Sequence, residues 1–155
     1  MSYSSGLLIF QDPPAQGSAL KVIFLIAPLL MIFAGFYLWS IGEIEGALTL
    51  LADALIIGLI LRLLLPRSYQ VYGDRIRIVL GGPLALNFTF RQIKSIQSSS
   101  KMVATMNFVT AFRKQYVLIT RSPGMSIAIT PEHNDLFVAG ANKALSEWKR
   151  NHGIR

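Results

Sequence analysis

The stretch Trp39–Leu50, WSIGEIEGALTL, joins two apolar runs through a short polar core, Ile41–Gly46, that holds Glu43 and Glu45 and no basic residue. Before it, residues 22–42 (VIFLIAPLLMIFAGFYLWSIG) run for 21 positions without a charge. At about 1.5 Å per helical residue this is enough to cross a hydrocarbon core of about 30 Å. After it, residues 47–65 (ALTLLADALIIGLILRLLL) make 19 positions with only Asp53 and Arg62 charged, and Arg62 is near enough to the end to snorkel toward headgroups. With so little chain between them, the two runs are expected to be antiparallel transmembrane helices in a hairpin.

Basic residues near span ends mark the cytoplasmic side. The joint has none, whereas Lys21 precedes the first run and Arg62, Arg67, Arg75 and Arg77 lie at or past the end of the second. The joint is therefore expected to face outward, with both termini in the cytoplasm and the protein multi-pass in the cell membrane. A secretory signal peptide is the competing reading of the first run, with WSIG supplying small residues at a cleavage site. The 20-residue leader, the length of the run and the second run behind it favour a span.

Charge divides the chain sharply. Residues 1–65 carry two basic and four acidic side chains, net −2, and residues 66–155 carry thirteen basic and four acidic, net +9. A basic region beside a membrane anchor points to anionic lipid headgroups. Its charges are scattered, with no run of five, so nucleic acid is not expected as a partner. Without cysteine there is no disulfide framework and no thiolate metal site.

After Pro66 the period changes from helical to alternating, setting a domain boundary near Arg67. Tyr69 and Val71 alternate, Gly73 and Asp74 turn, and Ile76, Ile78 and Leu80 alternate with Arg75 and Arg77, a hairpin. Leu84, Leu86, Phe88 and Phe90 share one face of a third strand. Ile93 and Ile96, three apart, suggest a helical turn. QYVLIT and MSIAIT read as strands joined at RSPG. Thr130 or Asn134 can cap a final helix, with Pro131 in its first turn and Phe137, Ala141, Ala144, Leu145 and Trp148 on one face. The resulting division is a cytoplasmic leader 1–20, a transmembrane hairpin 21–65, a cytoplasmic domain 66–150 and a tail 151–155. From the residues alone the domain is α+β, a small antiparallel β-barrel or sandwich of six or seven strands with one C-terminal helix.

Two apolar runs followed by YQVYGDRIRI, FTFRQIKSI and VLITRSPGMSIAITPEHNDLFV resemble the bacterial membrane proteins with a pleckstrin-homology-like (PH-like) domain, and the leader FQDPP, Phe10–Pro14, is similar to the acidic-diproline stretch that often precedes their first span. The resemblance implies a PH-like barrel on a membrane anchor. In phosphoinositide-binding PH domains the first strand-to-strand loop carries a basic cluster; here that loop is YGDR, leaving Arg75 and Arg77 as its candidates.

Three groups of residues are candidate sites. Asp53 lies inside an apolar run, where an acid costs about 2.5–3.5 kcal/mol at the centre of a bilayer. It therefore calls for a reason: it is tucked between the helices, with Tyr37 or Ser40 at matching depth as donor, or snorkels outward, or contacts another subunit, or serves a proton or ion relay, for which no second buried ionisable residue is available. Met102–Phe112 is uncharged and flanked by Lys101, Arg113 and Lys114, so it reads either as a core strand or as a membrane- or partner-facing surface with Met102, Met106, Phe108 and Phe112 exposed. Arg62, Arg67, Arg75 and Arg77 are the candidates for headgroup contact. Pro28 is expected to kink the first helix, and Tyr37 and Trp39 to anchor its outer end. His133 and His152 lack companions for a metal site, and no nucleophile–base pair or phosphate loop is present, so no catalytic, metal or cofactor residues are assigned. The expected function is that of a non-enzymatic, membrane-anchored PH-like interaction module, an accessory or scaffolding subunit of a membrane complex; the alternative is a protein that binds or senses anionic lipid.

Overall fold

The computed structural model describes residues 6–15, 17–100, 105–111 and 115–153, except the side chains of 18–21, 23 and 24. The chain forms β1 (Leu8–Asp12), α1 (Ser18–Ser40), α2 (Ile44–Leu64), β2 (Pro66–Tyr72), β3 (Arg75–Leu80) and β4 (Ala85–Thr89). A 3₁₀ turn, Phe90–Gln92, leads into β5 (Ile93–Ser99), β6 (Thr105–Phe108), β7 (Tyr116–Arg121), β8 (Ser126–Ile129) and α3 (Asn134–Asn151).

The joint between α1 and α2 closes by local chemistry. Gly42 adopts φ 87°, a left-handed conformation open to glycine without a Cβ penalty. The Gly42 N–H then reaches the Trp39 carbonyl at 3.2 Å and the Glu43 N–H the Leu38 carbonyl at 3.0 Å, the pair of bonds that ends a helix in a Schellman motif. Glu45 in the first turn of α2 complements the positive end of its dipole.

The strands form two four-stranded sheets, ordered β1-β2-β3-β4 and β5-β7-β8-β6. Alternation decides which face turns inward: Ile76, Ile78 and Leu80 of β3 are buried, while Arg75, Arg77 and Val79 face outward. Tyr69, Val71 and Phe88 meet Val117, Ile119, Ile127 and Ile129 of the second sheet, and Phe137, Ala141, Ala144 and Leu145 of α3 complete the core. Phe137 stands edge-on to both Phe10 and Tyr69, with ring centroids 6.1 and 6.3 Å away.

This architecture corrects the expected fold, two transmembrane helices plus a barrel of six or seven antiparallel strands capped by one helix. There are three helices and eight strands among the described residues, and the strands lie in two separate sheets. One helix, α2, is long and apolar enough to cross a membrane; the apolar helix taken from α1, Leu25–Ser40, is shorter than the roughly 20 residues required. The pairing of β6 with β8 is parallel, Thr105 opposite Ser126 through Phe108 opposite Ile129, which a chain of consecutive hairpins does not produce. The leader also contributes a strand, β1, paired antiparallel to β2.

The expected helical turn at Ile93 and Ile96 is instead strand. A register irregularity between Ile93 and Ser95 inserts one extra residue, so two isoleucines three apart both point inward, each 3% exposed.

Candidate functional site

Both ends of the helical hairpin are bolted to the β module, and glycine makes each joint. At the entry to α1, the Gly17 N–H donates to the Thr110 carbonyl at 3.3 Å, and a Cβ on Gly17 would stand 2.9 Å from the Ala111 Cα. At the exit of α2, a Cβ on Gly81 would overlap the Arg62 carbonyl, so the β3–β4 turn sits directly against the last turn of the helix. The entry joint rests on a buried polar cluster. Thr110 Oγ1 donates to the Ala15 carbonyl at 2.8 Å, the Thr110 N–H donates to Thr130 Oγ1 at 2.9 Å, and the Ala15 N–H donates to the Thr130 carbonyl at 2.8 Å. Beside them the Tyr69 hydroxyl donates to the Phe108 carbonyl at 2.7 Å. Burial pushes the Tyr69 phenol up to about 12, against the smaller opposing effect of hydrogen bonding with Thr110 and Thr130.

Within the hairpin the closeness of packing changes along its length. Near the turn, Gly35, Ala47 and Ala54 are buried, and a Cβ on Gly35 would lie 3.0 Å from Leu51 Cγ. Small residues there let the backbones approach. Nearer the β module, a Cβ on Gly58 would meet nothing within 4 Å. The helices open here around a cavity of about 790 Å³, with Pro28 and Ile32 of α1 and Gly58 and Leu61 of α2 in its walls. Among the described residues its charged members are Arg62, in the last turn of α2, and Arg67, at the start of β2, and none of its lining residues is acidic. The result is an apolar groove with a cationic rim at the side of the β module.

The structure brings Arg62 and Arg67 together and leaves Arg75 and Arg77 elsewhere. Arg75 begins β3 beside the 73–74 turn, 3.8 Å from the Asp74 carboxylate, with its guanidinium 5.2 Å from the Tyr72 ring centre. Arg77 stands on the outer face of the first sheet, in register with Gln70 and Asn87. Asp53 is exposed on α2 and has no hydrogen bond or ion pair among the described residues. Tyr37 is 65% exposed, and the Ser40 hydroxyl donates to the Tyr37 carbonyl at 2.6 Å within its own helix. Met106 and Phe108 are half-buried in β6, Phe108 against the core; Lys101, Met102, Phe112, Arg113 and Lys114 lie outside the described residues.

Sequence reasoning passed over Gly58, Gly81 and Asp12. An isolated glycine in a leucine- and isoleucine-rich helix was the available signal for Gly58. Asp12 had no local signal, because its partner is at the far end of the chain: its carboxylate accepts the His133 backbone N–H at 2.8 Å. His133 occupies the N-cap of α3, so neither Thr130 nor Asn134 caps that helix; Thr130 serves the entry joint and Asn134 Nδ2 donates to the Gln115 carbonyl.

Comparison with protein-family models, curated proteins and solved structures finds no match.

Proposed function

We propose that this chain is a non-enzymatic membrane-anchored interaction module, an accessory subunit anchored through α2, the helix long enough to cross a bilayer, with the shorter apolar part of α1 packed beside it and the β module resting on the cytoplasmic face. One observation carries the proposal. Of 24 exposed large apolar side chains among the described residues, nineteen lie between Val22 and Leu64, while the β module buries its own apolar faces. A patch of that extent on a protein surface requires a membrane or a partner to cover it. The net charge of +9 on residues 66–155 suits an anionic leaflet, and the absence of basic residues in the joint suits the opposite side. Asp53, exposed in the apolar middle of α2 and without a hydrogen bond or ion pair among the described residues, favours contact with another subunit in the membrane.

The test uses the absence of cysteine. Single reporters, Glu43→Cys in the joint and Glu132→Cys before α3, are labelled with a membrane-impermeant maleimide in intact cells and in inverted vesicles. Labelling of Glu43→Cys from outside and of Glu132→Cys only in inverted vesicles, with the chain resisting alkaline carbonate extraction, is the expected result. Carbonate release, or labelling of Glu132→Cys from outside, would overturn it. For the subunit reading, Asp53→Leu is expected to shed membrane partners that the wild type retains in mild detergent.

A further inference from the structure

We propose that the open half of the hairpin holds an acyl chain of one anionic phospholipid from the cytoplasmic leaflet, with its phosphate between Arg62 and Arg67; this rests on the membrane-anchored reading above. The groove has the size and composition of a ligand site, about 790 Å³ with mainly apolar walls. Its length follows from the helix rise: Val22 to Ile32 spans about 15 Å of α1. Its charges among the described residues, Arg62 and Arg67, lie where the hairpin meets the β module, which is the headgroup level when the module rests on the surface. Arginine presents a planar fork that matches phosphate oxygens in pairs, and among the described residues no carboxylate lines the groove to compete for it.

The space is built by named residues. Gly58 contributes no side chain, and the close approach at Gly35 and Ala47 stops the groove from continuing toward the turn. A lipid suits it better than a second copy of the same hairpin, since a two-fold contact through this groove would bring two sets of Arg62 and Arg67 together without counter-charge.

The experiment is native mass spectrometry of the full chain, delipidated in detergent and then offered phosphatidylglycerol or phosphatidylcholine at equal concentration. The wild type is expected to retain one lipid per chain with a preference for phosphatidylglycerol on the order of tenfold. Gly58→Leu fills the groove and replaces glycine by a better helix former, so it is expected to fold and to lose retention of both lipids. Arg62→Gln with Arg67→Gln is expected to keep the lipid and lose the preference. Circular dichroism and thermal unfolding confirm that each variant is folded. Equal retention of the two lipids by the wild type, unchanged retention in folded Gly58→Leu, or a chain dimer in place of the lipid-bound monomer would each overturn the proposal. Carbonate extraction separates the two levels: a chain that leaves the bilayer overturns the anchored reading itself, whereas one that stays without retaining lipid overturns only the groove.

Discussion

The carboxylate of Asp12, the last residue of β1, caps α3 at His133, 121 positions further along the chain, accepting the backbone N–H at 2.8 Å and lying 3.0 Å from the ring Nδ1. The acid is nearly buried, with 4% of its side chain exposed, and it stands at the positive end of the helix dipole. It ties the segment that enters the hairpin to the helix that closes the core. Asp12→Ala leaves the cap without its acceptor and is expected to lower stability by about 1–3 kcal/mol. Thermal unfolding in detergent measures this, and an unchanged midpoint would remove the tie.

The glycine joints predict opposite effects for the same substitution. Gly81→Ala pushes a methyl group into the Arg62 backbone carbonyl and is expected to destabilise the chain and loosen the hairpin from the module. Gly58→Ala enters open space in a helix and is expected to stabilise by up to about 1 kcal/mol. Limited proteolysis near residues 62–67, beside thermal unfolding, reads both; equal effects would mean that the α2 exit is not a tight joint.

Tyr69 predicts alkaline sensitivity. Its folded phenol titrates at about 12 and its unfolded one near 10, so the unfolded chain gives up its proton first as pH rises. The contribution is complete below pH 10 and lost between about pH 10 and 12, on the order of 2–3 kcal/mol. Tyr69→Phe is expected to flatten that part of the stability profile. A wild-type profile that stays level from pH 10 to 12 would contradict it.

Phe137 fixes α3 over both the leader strand and β2, through its edge contacts with Phe10 and Tyr69. Phe137→Ala opens a cavity at a fully buried position and is expected to cost about 3–5 kcal/mol. Faster hydrogen exchange in residues 8–12 and 69–71 checks that the loss falls at this contact; a loss of protection confined to α3 would argue against it.

Several elements were legible because their cause is local. Ile76, Ile78 and Leu80 mark β3 by alternation, RSPG marks the β7–β8 turn, and Phe137, Ala141, Ala144 and Leu145 mark the buried stripe of α3. The place of Arg62 and Arg67 at and just past the end of an apolar run is also local, and both line the groove. β5 carries a misleading local signal, because one bulge gives its two isoleucines the spacing of a helix. β6 has no decisive local signal, because Met102–Phe112 is apolar without clean alternation and its partner, β8, begins 21 positions after Thr105.

The sequence by itself determined where the chain is apolar, where it turns and where its charge lies, since hydrophobic period, glycine at positive φ and side-chain charge act over a few residues. Only the tertiary structure decided that the leader becomes β1, that β6 lies parallel to β8, that Asp12 caps α3, and that a groove lined by both α1 and α2 opens at Gly58. Strands of similar apolar content can pair in several orders, and the choice among them depends on which faces and ends pack together once distant segments meet. The groove follows the same logic: small residues draw the helices together at Gly35 and Ala47, the joints at Gly17 and Gly81 hold their other ends on the module, and the space between is set by both at once.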